Sequence, residues 1–379
     1  MRRVGLFPVL AASILLAACS SSTVPLAPID WQRVPGSGPG GALLGPNPRT
    51  GSFDEVGNFT VSAFKDGNIV RLYYGGADKE AGANPACPGI NDVHWRPGLA
   101  ISTDGVTFTR VDGGKTGGAI LDNGVAGEFD SFLTYRPFVL KDGTTYRLWY
   151  NGATQPFNCP PGKLGLDRNI GYAESSDGVH FTKINNGPGI GGSVLKLGGA
   201  GSIDQQQVGY IWVIKDTNDY KMFYSANDAN NFWRVALATS TDARNWTKVP
   251  GKLTGGAILD VGPTGAFDVA CAYQPTVVKE RDQLYRMWYR GCQTAGNPNG
   301  PSKGVIGYAE SNDGITWVKV PQDDRPLAAA LVAGAAGTFD SGGLTTPAVF
   351  LDGNTWNMYY AGFDTKGVFL TGLARAPHQ

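Results

Sequence analysis

The chain is poor in charge. Only 17% of its 379 residues are Asp, Glu, Lys or Arg, and the two signs balance at 32 each. A sparse, balanced charge gives no field that would draw in nucleic acid. Histidine is scarcer still. His94, His180 and His378 are dispersed, and none has the spacing of a zinc-ligand pair. Long apolar runs are missing as well. The one candidate, residues 4–18, is short of the ~20 residues a bilayer span requires. No glycine-rich stretch sits between a strand pattern and a helix pattern, so a nucleotide loop has no support. What is abundant is turn chemistry, with 54 glycines (about twice the usual share of ~7%) and 24 prolines. The hydrophobic share of 42% excludes a disordered chain. This composition favours many short strands joined by turns.

The N-terminus reads as an address. Arg2 and Arg3 precede the apolar run, and Leu16-Ala17-Ala18-Cys19 looks like a bacterial lipobox. The expectation is a signal peptide over residues 1–18, lipid on Cys19, a flexible tether over 19–28, and one domain over 29–379. Such a protein is exported to the cell envelope, touches a membrane only through its lipid, and acts as a monomer. Without Arg2 and Arg3 the chain carries 30 basic against 32 acidic groups. With Cys19 lipidated, Cys87, Cys159, Cys271 and Cys292 remain, an even number that fits two disulfides in an exported protein.

Internal repetition organises the rest. A Gly-x-[Phe/Ile]-Asp tetrad ends at Asp54, Asp130, Asp204, Asp268 and Asp340, at intervals of 76, 74, 64 and 72 residues. An aromatic pair follows each: Tyr73-Tyr74, Trp149-Tyr150, Phe223-Tyr224, Trp288-Tyr289 and Tyr359-Tyr360. Its first member lies 19 residues after the Asp in four repeats and 20 in the other. Between them come a strand and a turn such as Lys141-Asp142-Gly143. Beyond them come a third strand (Ile170-Gly171-Tyr172-Ala173), a tight Asp-Gly turn and a fourth strand with an aromatic and a base, as in Phe181-Thr182-Lys183. Four-stranded units repeated about an axis predict an all-β, five-bladed β-propeller. The fifth repeat lacks its last strand, and Trp31-Gln32-Arg33-Val34-Pro35 matches Trp317-Val318-Lys319-Val320-Pro321. The N-terminal strand is therefore expected to complete the last blade and close the ring, leaving no unpaired edge there.

These motifs resemble the five-bladed propeller glycosidases, the arabinanase/β-xylosidase and levansucrase/invertase families. The resemblance covers essentially all of the chain after the signal. It implies a glycan substrate or ligand in an axial funnel, and glycoside hydrolysis by carboxylates from the innermost strands. The families' own signatures are missing: Phe138, Thr276 and Ala348 stand where an Asp often follows the strand-one proline.

Hydrolysis needs two facing carboxyl groups, ~5–5.5 Å apart for retention or ~6.5–9.5 Å for inversion. Asp54, Asp130, Asp204, Asp268 and Asp340 are candidates if they face the axis, although a residue present in every repeat is as readily a turn-fixing device. Glu55 joins them because it breaks the repeat. Arg136, Gln206, Gln274 and Arg290 also break it, and suit pKa tuning and sugar hydroxyls. Asp78 and Asp228, each 24 residues after a tetrad Asp, are expected on one rim with Trp95, whose ring could stack on a sugar. The same antiparallel geometry favours disulfides Cys271–Cys292 and Cys87–Cys159. Inward aspartates would also suit Ca²⁺, an oxygen-seeking ion. The alternatives to an enzyme are a non-catalytic propeller that binds a glycan or envelope partner, and a purely structural envelope lipoprotein.

Overall fold

The computed structural model describes residues 29–78, 94–154, 168–293, 304–322 and 326–378. Cys19, Cys87 and Cys159 lie outside these residues. Among the described residues the regular structure is β-strand, interrupted only by single 3₁₀ turns, and no helix is long and apolar enough to cross a membrane.

The strands fall into five similar units. A short strand, β1 (Gln32–Val34), comes first. Unit one is β2 (Gly57–Asp66), β3 (Ile69–Ala77), β4 (Trp95–Ser102) and β5 (Thr109–Val111). Unit two is β6 (Leu133–Asp142), β7 (Thr145–Ala153), β8 (Asn169–Ser175) and β9 (Thr182–Lys183). Unit three is β10 (Gln207–Lys215), β11 (Tyr220–Asn227), β12 (Trp233–Ser240) and β13 (Thr247–Val249). Unit four is β14 (Cys271–Arg281), β15 (Leu284–Cys292), β16 (Val305–Ser311) and β17 (Trp317–Lys319). Unit five is β18 (Gly343–Asp352), β19 (Thr355–Phe363) and β20 (Phe369–Pro377). Each unit is an antiparallel meander, and β1 pairs antiparallel with β20 (Gln32 opposite Arg375) as the fourth strand of unit five.

Turn residues set the register. In the second hairpin of unit one, the Asp104 carboxylate accepts the N–H groups of Val106 and Thr107, and Ser102 Oγ accepts that of Gly105. The same Ser-x-Asp device recurs at Asp177, Asp242 and Asp313. Second strands start by alternating and end fully buried, as in β7, because both faces of that half are covered by neighbouring units.

The aromatic pair does two jobs. Its first member packs edge-on against the fourth-strand aromatic of the next unit: Tyr73 on Phe181, Trp149 on Trp246, Phe223 on Trp317, Trp288 on Trp31 and Tyr359 on Phe108, at interplanar angles of 72–89°. The last contact joins unit five to unit one, so the five contacts form a cycle. Ion pairs between first strands follow the same order: Lys141–Asp66, Lys215–Asp142, Lys279–Asp216 and Lys65–Asp352. Among the described residues the step from unit four to unit five shows none. There Leu351 takes the lysine's place, and Glu280 pairs instead with Arg286 and His378. The first strands likewise pack in cyclic order, β2 on β6, β10, β14, β18 and back to β2. Their inner ends surround a common centre.

Candidate functional site

The five tetrad aspartates do not face that centre. Each is at most 3% exposed and bonded within its own unit. The second aromatic of the pair donates its hydroxyl to the carboxylate: Tyr74 to Asp54, Tyr150 to Asp130, Tyr224 to Asp204, Tyr289 to Asp268 and Tyr360 to Asp340, at 2.8–3.0 Å. The fourth-strand base completes the group: Arg110, Lys183, Lys248, Lys319 and Arg33, at 2.5–2.8 Å. Burial, and then the carboxylate charge, pushes each of these phenols up, so it stays protonated and donates. The direction follows from the residue before the Asp. Phe53 lies flat over Gly76 of β3 and Gly98 of β4, where an added Cβ would come within 2.5 and 2.0 Å of its ring. This turns Asp54 toward the outermost strand. Of the two readings, a carboxylate pair across a funnel and a turn-fixing device, the geometry fits the second: these residues tie the first turn, second strand and last strand of each unit together.

The other candidates separate into two groups. Glu55 is half-buried and accepts the N–H of Gly51, as Gln205 does that of Gly201. Gln206 is exposed, with its amide against the Ala229 carbonyl. Asp78 accepts the His94 N–H and pairs with Arg96 at 2.5 Å. Asp228 accepts the N–H groups of Asn230 and Phe232 and pairs with Arg234 at 2.6 Å. These carboxylates brace the links between second and third strands. Cys271 and Cys292 stand opposite each other on β14 and β15 and form the expected disulfide.

Arg136, Gln274 and Arg290 do come together. Every first strand is interrupted near its inner end, between Phe59 and Val61, Tyr135 and Phe138, Gly209 and Trp212, Tyr273 and Thr276, and Thr345 and Ala348. These bulges re-aim the backbone. Arg136, Tyr210, Gln274 and Thr346 sit in them at φ +56°, +50°, +54° and +44°. The left-handed region is unfavourable for such side chains, and each instance costs about 1–3 kcal/mol. Neighbouring units hold three of them in place. Asn151 Oδ1 accepts the Tyr210 N–H at 2.9 Å, Ser225 Oγ that of Gln274 at 2.9 Å, and Gln274 Oε1 that of Thr346 at 2.8 Å.

A small pocket, of about 30 Å³, opens where Val61, Arg136, Tyr210, Gln274 and Thr346 meet, one from each unit. The Arg136 guanidinium lies 3.1 Å from the Tyr210 ring centroid and 4.8 Å from that of Tyr135. Tyr210 packs on Tyr273 and Trp233, and Arg168 lies over Tyr210 and Trp233. Arg290 donates to Tyr273 Oη at 3.0 Å and to Thr345 Oγ1 at 3.3 Å. Thr345 in turn donates to Gln274 Oε1 at 2.5 Å. Trp95 reaches this cluster through Phe59, which packs against Tyr135. Among the described residues the pocket is thus lined by the Arg136 guanidinium, by Gln274 and Thr346, and by apolar and aromatic side chains such as Phe138, Tyr210 and Trp212. It does not fit calcium, which takes carboxylate and carbonyl oxygens and would meet the Arg136 charge here.

Comparison with known proteins bears on the fold. No family model matches the chain. The uncharacterized protein Rv1502 of Mycobacterium tuberculosis is 29% identical over 250 residues, 66% of this chain and 72% of that protein. Among solved structures, a glycoside hydrolase superposes with a TM-score of 0.65 at 14% identity, covering 90% of this chain and 92% of its own. A glycosyl hydrolase from Bacteroides ovatus gives 0.62 at 17% identity (92% and 94% covered). The β-1,2-mannobiose phosphorylase of Listeria innocua, in complex with β-1,2-mannobiose, gives 0.60 at 14% identity (85% and 90% covered). The chain has the fold of these carbohydrate-active proteins.

Proposed function

We propose that this protein is an exported five-bladed β-propeller, anchored through lipid on Cys19, that binds a glycan at the centre of the fold. The cyclic edge-to-face contacts and the return of β1 to unit five support the propeller reading. The lipobox, with residues 1–18 as signal and 19–28 as tether, supports the anchor and a place in the cell envelope. The observation that carries the binding reading is the set of strained residues, Arg136, Tyr210, Gln274 and Thr346, held around one pocket. Backbone strain persists where surrounding structure over-determines it, and it clusters at binding sites. Aromatic faces beside amide, hydroxyl and guanidinium donors suit the alternating apolar and hydroxylated surfaces of a sugar ring.

Hydrolysis is the second reading, favoured by the likeness to glycoside hydrolases. The two-carboxylate scheme needs a facing acid pair, and the described residues lining the pocket include neither Asp nor Glu. Binding without turnover is therefore the reading the geometry supports best. The test is a panel of arabinan, xylan, fructan and mannan, scored for both saturable binding and release of reducing sugar. Binding without release is the expected result. Release of sugar would establish the hydrolase reading, and absence of both would overturn the function. For the anchor, Cys19→Ser is expected to move the protein from the membrane to the soluble fraction. An unchanged membrane fraction would refute lipidation at Cys19.

A further inference from the structure

We propose that the centre of the fold is an oxyanion site with Arg136 as its direct ligand, and that the oxyanion is the acidic group of a glycan. The second half rests on the glycan-binding reading above.

Arg136 is 8% exposed, and its Nε and Nη1 have no hydrogen-bond partner among the described residues. A buried cation in that state is among the costliest groups a fold can retain. Its contacts are the faces of Tyr210 and Tyr135, which fix the guanidinium plane but satisfy none of its in-plane N–H groups. A planar fork of this kind matches an oxyanion through two parallel bonds. Among the described residues no carboxylate pairs with it. Burial is the largest influence pushing its proton affinity down, and Arg168 and Arg290 add to it as like charges, against a partial opposite effect of Tyr135 and Tyr273. Three guanidinium groups thus converge on one aromatic cluster. An oxyanion placed there offsets the cost of burying the Arg136 charge and fills its Nε and Nη1 donors.

The surroundings specify more than a bare ion. Thr346, also 8% exposed, has no partner for its Oγ1 among the described residues, beside the same pocket. Gln274 lines the pocket next to it. A carboxylate borne on a sugar engages Arg136 at the pocket while a hydroxyl beside it meets Thr346 or Gln274. The strained φ of Arg136 and Thr346 is then the cost of aiming both side chains inward.

The experiment is calorimetric titration of the domain, at constant ionic strength, with three probes: a β-linked glucuronic acid–glucose disaccharide, its neutral glucose–glucose counterpart, and inorganic phosphate. The proposal expects saturable binding of the acidic disaccharide at least tenfold tighter than the neutral one. It expects a loss of at least tenfold in Arg136→Met and an intermediate loss in Arg136→Lys, which keeps charge without the fork. The acidic probe should raise the melting temperature of the wild type and not that of Arg136→Met. Should Arg136→Met fail to fold, Arg290→Met, which lies outside the strained bulge, must weaken the acidic probe in the same direction. Phosphate binding alone, lost in Arg136→Met, would uphold the oxyanion site and overturn the sugar as its source. Equal affinity for acidic and neutral disaccharides would overturn the oxyanion site and leave glycan binding standing. Anion binding unchanged in Arg136→Met would overturn it too, as would no binding of any probe.

Discussion

Replacing Asp130 by Ala isolates the role of the tetrad aspartates. The side chain is fully buried and accepts from the Tyr150 hydroxyl at 2.8 Å and the Lys183 ammonium at 2.7 Å. Its loss leaves both donors stranded. Breaking a fully buried pair from one side costs about 3–5 kcal/mol. Lys183 keeps 20% of its side-chain surface exposed, so water recovers part of its solvation and about 2–4 kcal/mol is expected. For domains of 150–250 residues each kcal/mol moves Tm by about 2–4 °C, and a longer chain moves less, which gives a fall of roughly 3–8 °C. Asp130→Ala/Lys183→Met removes the stranded charge and is expected to recover part of the loss. The assay is thermal unfolding by circular dichroism, with glycan binding measured on the same samples. A Tm within 1 °C of wild type, or loss of glycan binding in a variant of unchanged Tm, would refute the structural assignment.

Other outcomes follow from the same geometry. In the ring of first-strand ion pairs, burial works against ionisation of Asp142, but bonds from Lys215, Tyr220 and Arg147 outweigh it and hold its pKa at about 2. Asp216 is likewise depressed, by Lys221 and Lys279. Because the folded values lie below the unfolded one of ~3.9, this stabilisation is complete above that pH and disappears as pH falls toward 2. Tm should therefore decline steeply from pH 4 to 2, and a Lys215→Met variant should decline less. Gly98→Ala would put a Cβ 2.0 Å from the Phe53 ring; a loss of about 1–3 kcal/mol is expected, read by urea unfolding, and none would contradict the flat seating of Phe53. Reducing Cys271–Cys292, 21 residues apart, should cost about 3 kcal/mol, seen as a lower Tm with dithiothreitol that is absent in Cys271→Ser/Cys292→Ser.

The repeat was legible because its determinants are local. Tetrad, aromatic pair and Asp-Gly turns each lie within one strand or hairpin, and their spacing survives in the chain. Matching Trp31-Gln32-Arg33 to Trp317-Val318-Lys319 put Arg33 in register with Lys319, and the two bases occupy equivalent places beside Asp340 and Asp268. A second repeat went unread: Gly117-Gly118-Ala119-Ile120-Leu121 and its counterparts at 191–195 and 255–259 are turns that pack on the preceding tetrads, and the one at 40–44 packs on the last tetrad. The centre was read only in part. Arg136 and Gln274 stood out before prolines, but Tyr210 precedes Ile211, and the missing proline hid it. All of these residues lie six positions after a tetrad Asp, as Thr346 does, so the same ruler would have found them. Spacing left both readings of the aspartates open because it gives position along a strand and not which way a side chain turns. That direction depends on Phe53 meeting Gly76 and Gly98, a contact between strands.

The central claim is that ligand binding resides where the five first strands meet and not at the tetrads. It is tested most directly by titrating one glycan that binds the wild type into Arg136→Met, Gln274→Ala and Asp130→Asn. Binding is expected to be at least tenfold weaker in the first two, with unchanged affinity in folded Asp130→Asn. Binding retained in the first two and lost in Asp130→Asn would contradict it.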